Sequence, residues 1–319
     1  MNSHTVVEIA TDQNFTEEAY LLGNPDIALA VKEGIYLQSG QQHYEIFGKN
    51  EGRCIRLPIT AILEAKHAKL QKLEPFLRAD MPYLMPDGYL YDFLGADLRS
   101  KFNIVATDAV SSNNYEPVVL ELIQKLKEGW ILDCGAGRRD MYYDNVVNFE
   151  IVDYDTTDVM GVGEKLPFKD DMFDAVLSLS VLEHVKDPFQ CAKEIARVLK
   201  PGGVLICSVP FLQPYHGYPH HYYNMTTQGI QNLFASYLEI DKVVVNENES
   251  PIWSLTWILQ NWVSGLKGDT REEFLQMKIA DLIEPGSAYL HKAFVSELSP
   301  EKNAELAYAT KLFAHKKPQ

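Results

Sequence analysis

The spacing of apolar residues divides the chain near residue 113. From Tyr115 onward, short apolar runs alternate with stretches of helical period. Pro117 stands where a first helical turn tolerates proline, and Val118, Val119, Leu122, Ile123 and Leu126 follow on one face, which predicts a helix ending at Gly129. Trp130-Ile131-Leu132, Val146 to Val152, Phe173 to Leu179 and Val204 to Val209 read as strands, and Pro188 to Leu199 reads as a helix. Strands alternating with helices make parallel βαβ units, so the expected fold class is α/β with a doubly wound, mostly parallel sheet over residues 113–319.

Residues 1–112 lack that alternation and are punctuated at Gly23-Asn24-Pro25, Gly40, Gly48, Gly52 and Pro82 to Gly88, as an N-terminal accessory region would be. Within it, Gly34-Ile35-Tyr36-Leu37 and His43-Tyr44-Glu45-Ile46-Phe47 flank Ser39-Gly40 and predict a hairpin, and Thr60 to Leu73 predicts a helix. Towards the C-terminus, Trp253, Trp257 and Trp262 recur among Leu and Ile at helical spacing, which predicts a helical insertion or lid over residues 246–300. Ala307 to Ala314 is expected to supply the final strand of the sheet.

Charge narrows the partners. The net charge of −15 repels a nucleic-acid backbone, and the densest positive cluster is only Lys316-Lys317. No basic segment followed by an apolar stretch opens the chain, so a cytoplasmic location is expected. The most apolar window, Trp253 to Leu266, contains Gln260 and Asn261 and falls short of the roughly 20 residues of a membrane span. Cys54, Cys134, Cys191 and Cys207 are scattered without a CxxC pair, which predicts reduced thiols and no metal site built on cysteine. His216, His220 and His221 cluster without a carboxylate at ligand spacing, so no metal is expected there either.

Four constellations carry chemistry. In Ile131-Leu132-Asp133-Cys134-Gly135-Ala136-Gly137 an apolar strand enters a Gly-x-Gly turn, where backbone can lie against a ligand with no β-carbon between. A dinucleotide site would place a third glycine where this chain has Asp140, which argues against NAD. Glu150, Asp153 and Asp155 near the end of the next strand are candidates for gripping vicinal ribose hydroxyls, and Glu150 lies 15 residues beyond Gly135. The third is the run Glu164-Lys165-Leu166-Pro167-Phe168 to Phe173-Asp174, followed by Val181-Leu182-Glu183-His184-Val185 and Leu199-Lys200-Pro201-Gly202-Gly203. The fourth is Pro214-Tyr215-His216-Gly217-Tyr218-Pro219-His220-His221, emerging after the last clear strand, with His216 or His221 as a base facing an acceptor.

In order and spacing, the pieces from Ile131 to Val209 resemble the class I S-adenosylmethionine-dependent methyltransferases, in particular the type 11 group. The resemblance covers about 100 residues and implies S-adenosyl-L-methionine as cofactor and a small-molecule methyl acceptor. It implies that Asp133, Gly135, Ala136 and Gly137 surround the methionine end and ribose, and that Glu150 holds the ribose hydroxyls. By the same resemblance, Gly163, Glu164, Lys165 and Leu166 border the adenine, and Ser180, Leu182 and Glu183 close the pocket. Two departures stand out. Val162 replaces a common acid, leaving the adenine amine to backbone carbonyls or Glu164, and Arg138-Arg139-Asp140 replaces small residues, so that the next helix must be short. The histidine loop favours oxygen as the methylated atom. The alternatives are a non-catalytic cofactor-binding module and, disfavoured by Asp140, a dehydrogenase. Residues 1–112 either cap the acceptor pocket or mediate a homodimer.

Overall fold

The computed structural model describes residues 2–34, 38–107, 110–217, 219–309 and 311–312. Among these described residues the strands are β1 (Ser3–Thr5), β2 (Val7–Ile9), β3 (Cys54–Arg56), β4 (Tyr91–Asp92), β5 (Ile131–Cys134), β6 (Met141–Tyr143), β7 (Val146–Glu150), β8 (Val159–Met160), β9 (Phe173–Leu179) and β10 (Leu199–Ser208). Six of them form one sheet in the order β10-β9-β5-β7-β8-β4, every neighbouring pair parallel. The chain steps outward from β5 through β7 to β8, then returns to the other side of β5 for β9 and β10. The order therefore reverses between β5 and β9, and in an open parallel sheet that reversal leaves a crevice at the carboxyl ends of those two strands.

Strand alternation sends side chains to two buried faces. Ile131, Val146, Ala175 and Leu177 face the helix Pro117–Lys125 through its Val119 and Ile123. Leu132, Cys134, Val147 and Val176 face the helix Pro188–Val198, whose Cys191, Ala192, Ile195 and Val198 are buried at helical spacing. Leu166 and Phe168 of the Leu-Pro-Phe corner lie fully buried in the same core, where the Phe168 ring meets that of Phe173 edge to face.

The route from β5 to β7 departs from the expected short helix. Arg138-Arg139-Asp140 leads straight into β6, which pairs antiparallel with β1. Here the Arg139 amide is bonded to Thr156 Oγ1 and its guanidinium is turned inward to Asp133. Part of the covering is supplied instead by the helix Leu63–Leu73. Its Leu70 and Leu73 join the core, while Lys66 Nζ donates to the carbonyls of Asp155 and Thr157, and Lys69 Nζ to Asp158 and the carbonyl of Val146. The N-terminal region also contributes β4, the sixth strand of the sheet.

Two further expectations need correction. His43 to Phe47 is helical rather than a strand, because Ser39 caps a helical turn at Gly40–His43 that continues through Gly48; residues 35–37 of the expected hairpin lie outside the described residues. Ala307 to Ala309 carries no strand, Thr310 and residues 313–314 lie outside the described residues, and β10 is the sheet's edge. The C-terminal part is helical, with Pro251–Ser264 and Gly268–Gln276 as its longest helices. Among the described residues no helix is long and apolar enough to cross a membrane.

Candidate active site

A cleft of about 1000 Å³, its open mouth included, occupies the crevice at the order reversal, with Gly135 from the end of β5 and Ser180 from the end of β9 in its wall. The turn after β5 needs glycine twice. Gly135 has φ of 89° and Gly137 of 63°, and a β-carbon on Gly135 would come within 2.4 Å of Val181. A β-carbon on Gly137 would meet the carbonyl oxygen of Ser111 at 2.7 Å. The side chain excluded at Gly135 thus collides with the opposite loop, and the glycine keeps the turn closed against it.

Glu150 ends β7 in the cleft wall. Its carboxylate accepts one backbone N–H on each oxygen, from Gly137 at 2.8 Å and from Ile151 at 2.7 Å. Burial raises its pKa, and those two amides pull against the rise. Of the other acid candidates, Asp155 takes Arg56 Nε and Nη2 at 2.5 and 2.7 Å and is thereby committed, and Asp153 is absent from the cleft lining.

The remaining predicted residues divide. Gly163, Glu164, Ser180 and Leu182 line the cleft. Glu164 is buried, and its Oε1 accepts the amides of Lys186 and Asp187, tying the segment after β8 to the loop after β9. Ala136, Gly137, Lys165, Leu166 and Glu183 are not part of the lining, and Lys165 is exposed to solvent. Nor is Asp133: it is fully buried, bonded through Oδ2 to the guanidinium of Arg139 and to the Tyr115 hydroxyl, with the Arg139 guanidinium 4.1 Å from the Tyr115 ring centre.

Neither His216 nor His221 lines the cleft; His184 and His220 do. Ring partners fix what each imidazole offers. A carbonyl can only accept, so His184 Nδ1 donates to the carbonyl of His220 at 2.6 Å, and His216 Nδ1 donates to that of Pro214 at 2.9 Å. Both rings therefore carry an unprotonated Nε2. His221 is spent in the opposite sense, its Nδ1 accepting the His216 amide at 3.1 Å and its Nε2 bonded to Asn224 Oδ1 at 2.7 Å. Burial holds His184 down at about 4 and also lowers His216, so both are neutral imidazoles near pH 7. Beside them Glu183 is fully buried, neither carboxylate oxygen has a hydrogen-bond partner among the described residues, and burial pushes it up to about 8. The 3.8 Å approach of His184 Nε2 to Glu183 Oε1 is accordingly a contact between neutral groups.

Sequence patterns did not expose Phe102, Ile104, Thr107 and Ser111, which complete the cleft from the N-terminal side. They lie in a stretch without periodicity, ahead of the recognisable motifs. His220 bridges across to them, its Nε2 within 3.0 Å of both the side-chain amide and the carbonyl of Asn103.

Comparison with known proteins bears on the same span. Residues 134–207 match a family model described as a methyltransferase domain. An uncharacterized methyltransferase of Mycobacterium leprae is 44% identical over 61 residues, 19% of this chain and 23% of the relative. One of Mycobacterium tuberculosis matches equally over 19% of this chain and 24% of its own length. The chain thus spans about a quarter of the length of these curated relatives. Among solved structures, a SAM-dependent methyltransferase from Thermotoga maritima, a possible histamine N-methyltransferase, shares 22% identity over 38% of this chain and 70% of that one, with a TM-score of 0.28. A phosphoethanolamine N-methyltransferase from Haemonchus contortus, in complex with S-adenosylhomocysteine, shares 18% over 59% and 48%, with a TM-score of 0.31. From Cys134 to Cys207, across the glycine turn and most of β10, this chain is similar to a methyltransferase domain.

Proposed function

We propose that the protein is an enzyme that transfers the methyl group of S-adenosylmethionine to a small-molecule acceptor, at oxygen. The observation that carries this reading is the Glu150 carboxylate at the carboxyl end of β7, next to the closed glycine turn at the sheet's order reversal. Each of its oxygens has one backbone N–H and a second lone pair to spare, which matches two vicinal ribose hydroxyls. Ile151, Val162 and Leu182 give the cleft apolar walls suited to a flat base. Buried Leu166 and Ala136, with the Gly137 amide on Glu150, hold the backbone that forms those walls.

When bound, the cofactor supplies an electrophilic methyl on a neutral leaving group. What remains for the protein is alignment and exclusion of water. Phe102, Ile104, Pro219 and His220 stand over the cleft and would cap the acceptor, which gives residues 1–112 a direct part in the site. A hydroxyl acceptor must lose its proton as the carbon–oxygen bond forms, and the unshared Nε2 of His184, with His216 behind it, offers a neutral base. His221 is left to position His216 through the amide contact.

Isothermal titration with S-adenosylmethionine, followed by methyl transfer to a panel of hydroxyl and amine acceptors, tests the reading. Expected are one site per chain and turnover on a hydroxyl compound. Absence of binding at saturating cofactor would refute it, and binding without turnover on any acceptor would reduce the protein to a cofactor-binding module.

A further inference from the structure

Behind the cleft wall, Glu183, His184 and His216 bring one ligand atom each to within 4.8 Å of one another. Two further features of this cluster agree with that proximity. Glu183 is fully buried, and among the described residues neither carboxylate oxygen has a hydrogen-bond partner, an arrangement costly enough to call for a missing partner. Both imidazoles have their Nδ1–H directed to a backbone carbonyl, which fixes the tautomer with Nε2 unprotonated. That orientation is the one that supports metal-bound histidines, where the second nitrogen donates to a carbonyl or carboxylate. The neighbouring His221 is excluded from the set because its two ring nitrogens are already used.

We infer that Glu183, His184 and His216 form a binding site for a single divalent cation of borderline character, with zinc as the representative ion. Two imidazoles and one carboxylate are a ligand set that zinc accepts in open sites, the fourth position being left to water or a substrate atom. Ligand atoms around a tetrahedral zinc lie about 3.3 Å apart, and His184 Nε2 and Glu183 Oε1 are already at 3.8 Å. Closing the remaining gap takes side-chain rotations of His216, which sits on the loop after β10. The His184 and His216 rings stand edge to face with centres 5.1 Å apart. Because His184 also lines the cleft, the cation would lie at its wall and polarise an acceptor oxygen there, taking over from the imidazoles the task of favouring its deprotonation.

The test uses the full chain, freed of any histidine tag, stripped with a chelator and titrated with Zn²⁺ and with Co²⁺ in the absence of S-adenosylmethionine, so its outcome is independent of the methyltransferase reading. Expected are one Zn²⁺ per chain, visible Co²⁺ absorption bands of a low-coordinate site, and affinity at least tenfold weaker in Glu183→Gln and in His216→Ala, with His291→Ala within twofold of wild type. His216 lies on a loop, so its variant keeps the test decisive if Glu183→Gln fails to fold, as judged by circular dichroism. Absence of stoichiometric Zn²⁺ binding overturns the inference, as does a loss of less than tenfold in either ligand variant, Glu183→Gln or His216→Ala, that folds.

Discussion

Two coverings of the same sheet are built from opposite chemistries. Next to β9, the helix Pro188–Val198 presents Cys191, Ala192, Ile195 and Val198 to the core, and its capping Asp187 accepts the Gln190 amide. Near β7 and β8, where a helix after the glycine turn would normally lie, the chain uses Arg56, Lys66 and Lys69 from the N-terminal region against Asp155, Asp158 and open backbone carbonyls. The first covering is stabilised by apolar burial, roughly indifferent to direction, so it tolerates small changes in shape. The second depends on every polar partner being met. The Lys69 ammonium, 2.9 Å from Asp158 and 3.6 Å from the centre of the Tyr142 ring, becomes an uncompensated buried charge if Asp158 is removed. An ionic covering of this kind is a specificity device as much as a stabilising one, since it fixes which segment docks on the sheet.

The contrast can be broken most forcefully at Asp158, which accepts from Lys69, from the Tyr142 hydroxyl and from the Asn148 amide. Asp158→Ala should destabilise the protein by about 3–5 kcal/mol, read by chemical denaturation, because it strands a buried lysine. Pairing it with Lys69→Met should recover a large part of the loss, and additive losses would show that the pair is not coupled. On the apolar side, Ile195→Ala should cost about 2–4 kcal/mol through the cavity it leaves, with no such rescue by a partner. At the site between the two coverings, Gly135→Ala should weaken S-adenosylmethionine binding more than tenfold, upwards of about 1.4 kcal/mol. The cause would be a turn forced open by contact with Val181 at a φ of 89°. Glu150→Gln should lower the same affinity by about tenfold, near 1.4 kcal/mol, with little change in the denaturation midpoint, as befits a lost charge-assisted hydrogen bond. Unchanged affinity in both variants would move the cofactor away from the glycine turn.

The apolar covering was legible in advance because helical period and strand alternation are local properties. Pro117–Lys125, Pro188–Val198, β5, β7 and β9 all fall within a few residues of their expected places. The ionic covering was hidden, since Lys66 and Lys69 read as an ordinary solvated helix face until Asp158 is brought beside them across 89 residues of chain. Helix propensity after Gly137 was likewise overridden by Arg139, whose guanidinium finds Asp133 and the carbonyl of Asn113. In the site, Glu150 could be nominated from its place at a strand end, but that Asp155 is held by Arg56 has no local pattern to announce it.

By itself the sequence determined the parallel α/β sheet, the glycine turn and the acid on the next strand, because each is written in backbone freedom or side-chain period over fewer than twenty residues. Tertiary structure alone decided which covering the sheet wears, which of the histidines keep a free nitrogen, and that Glu183 lies buried without a partner. Those properties depend on which distant groups become neighbours and on how much water they lose in doing so, and neither quantity has a local signature.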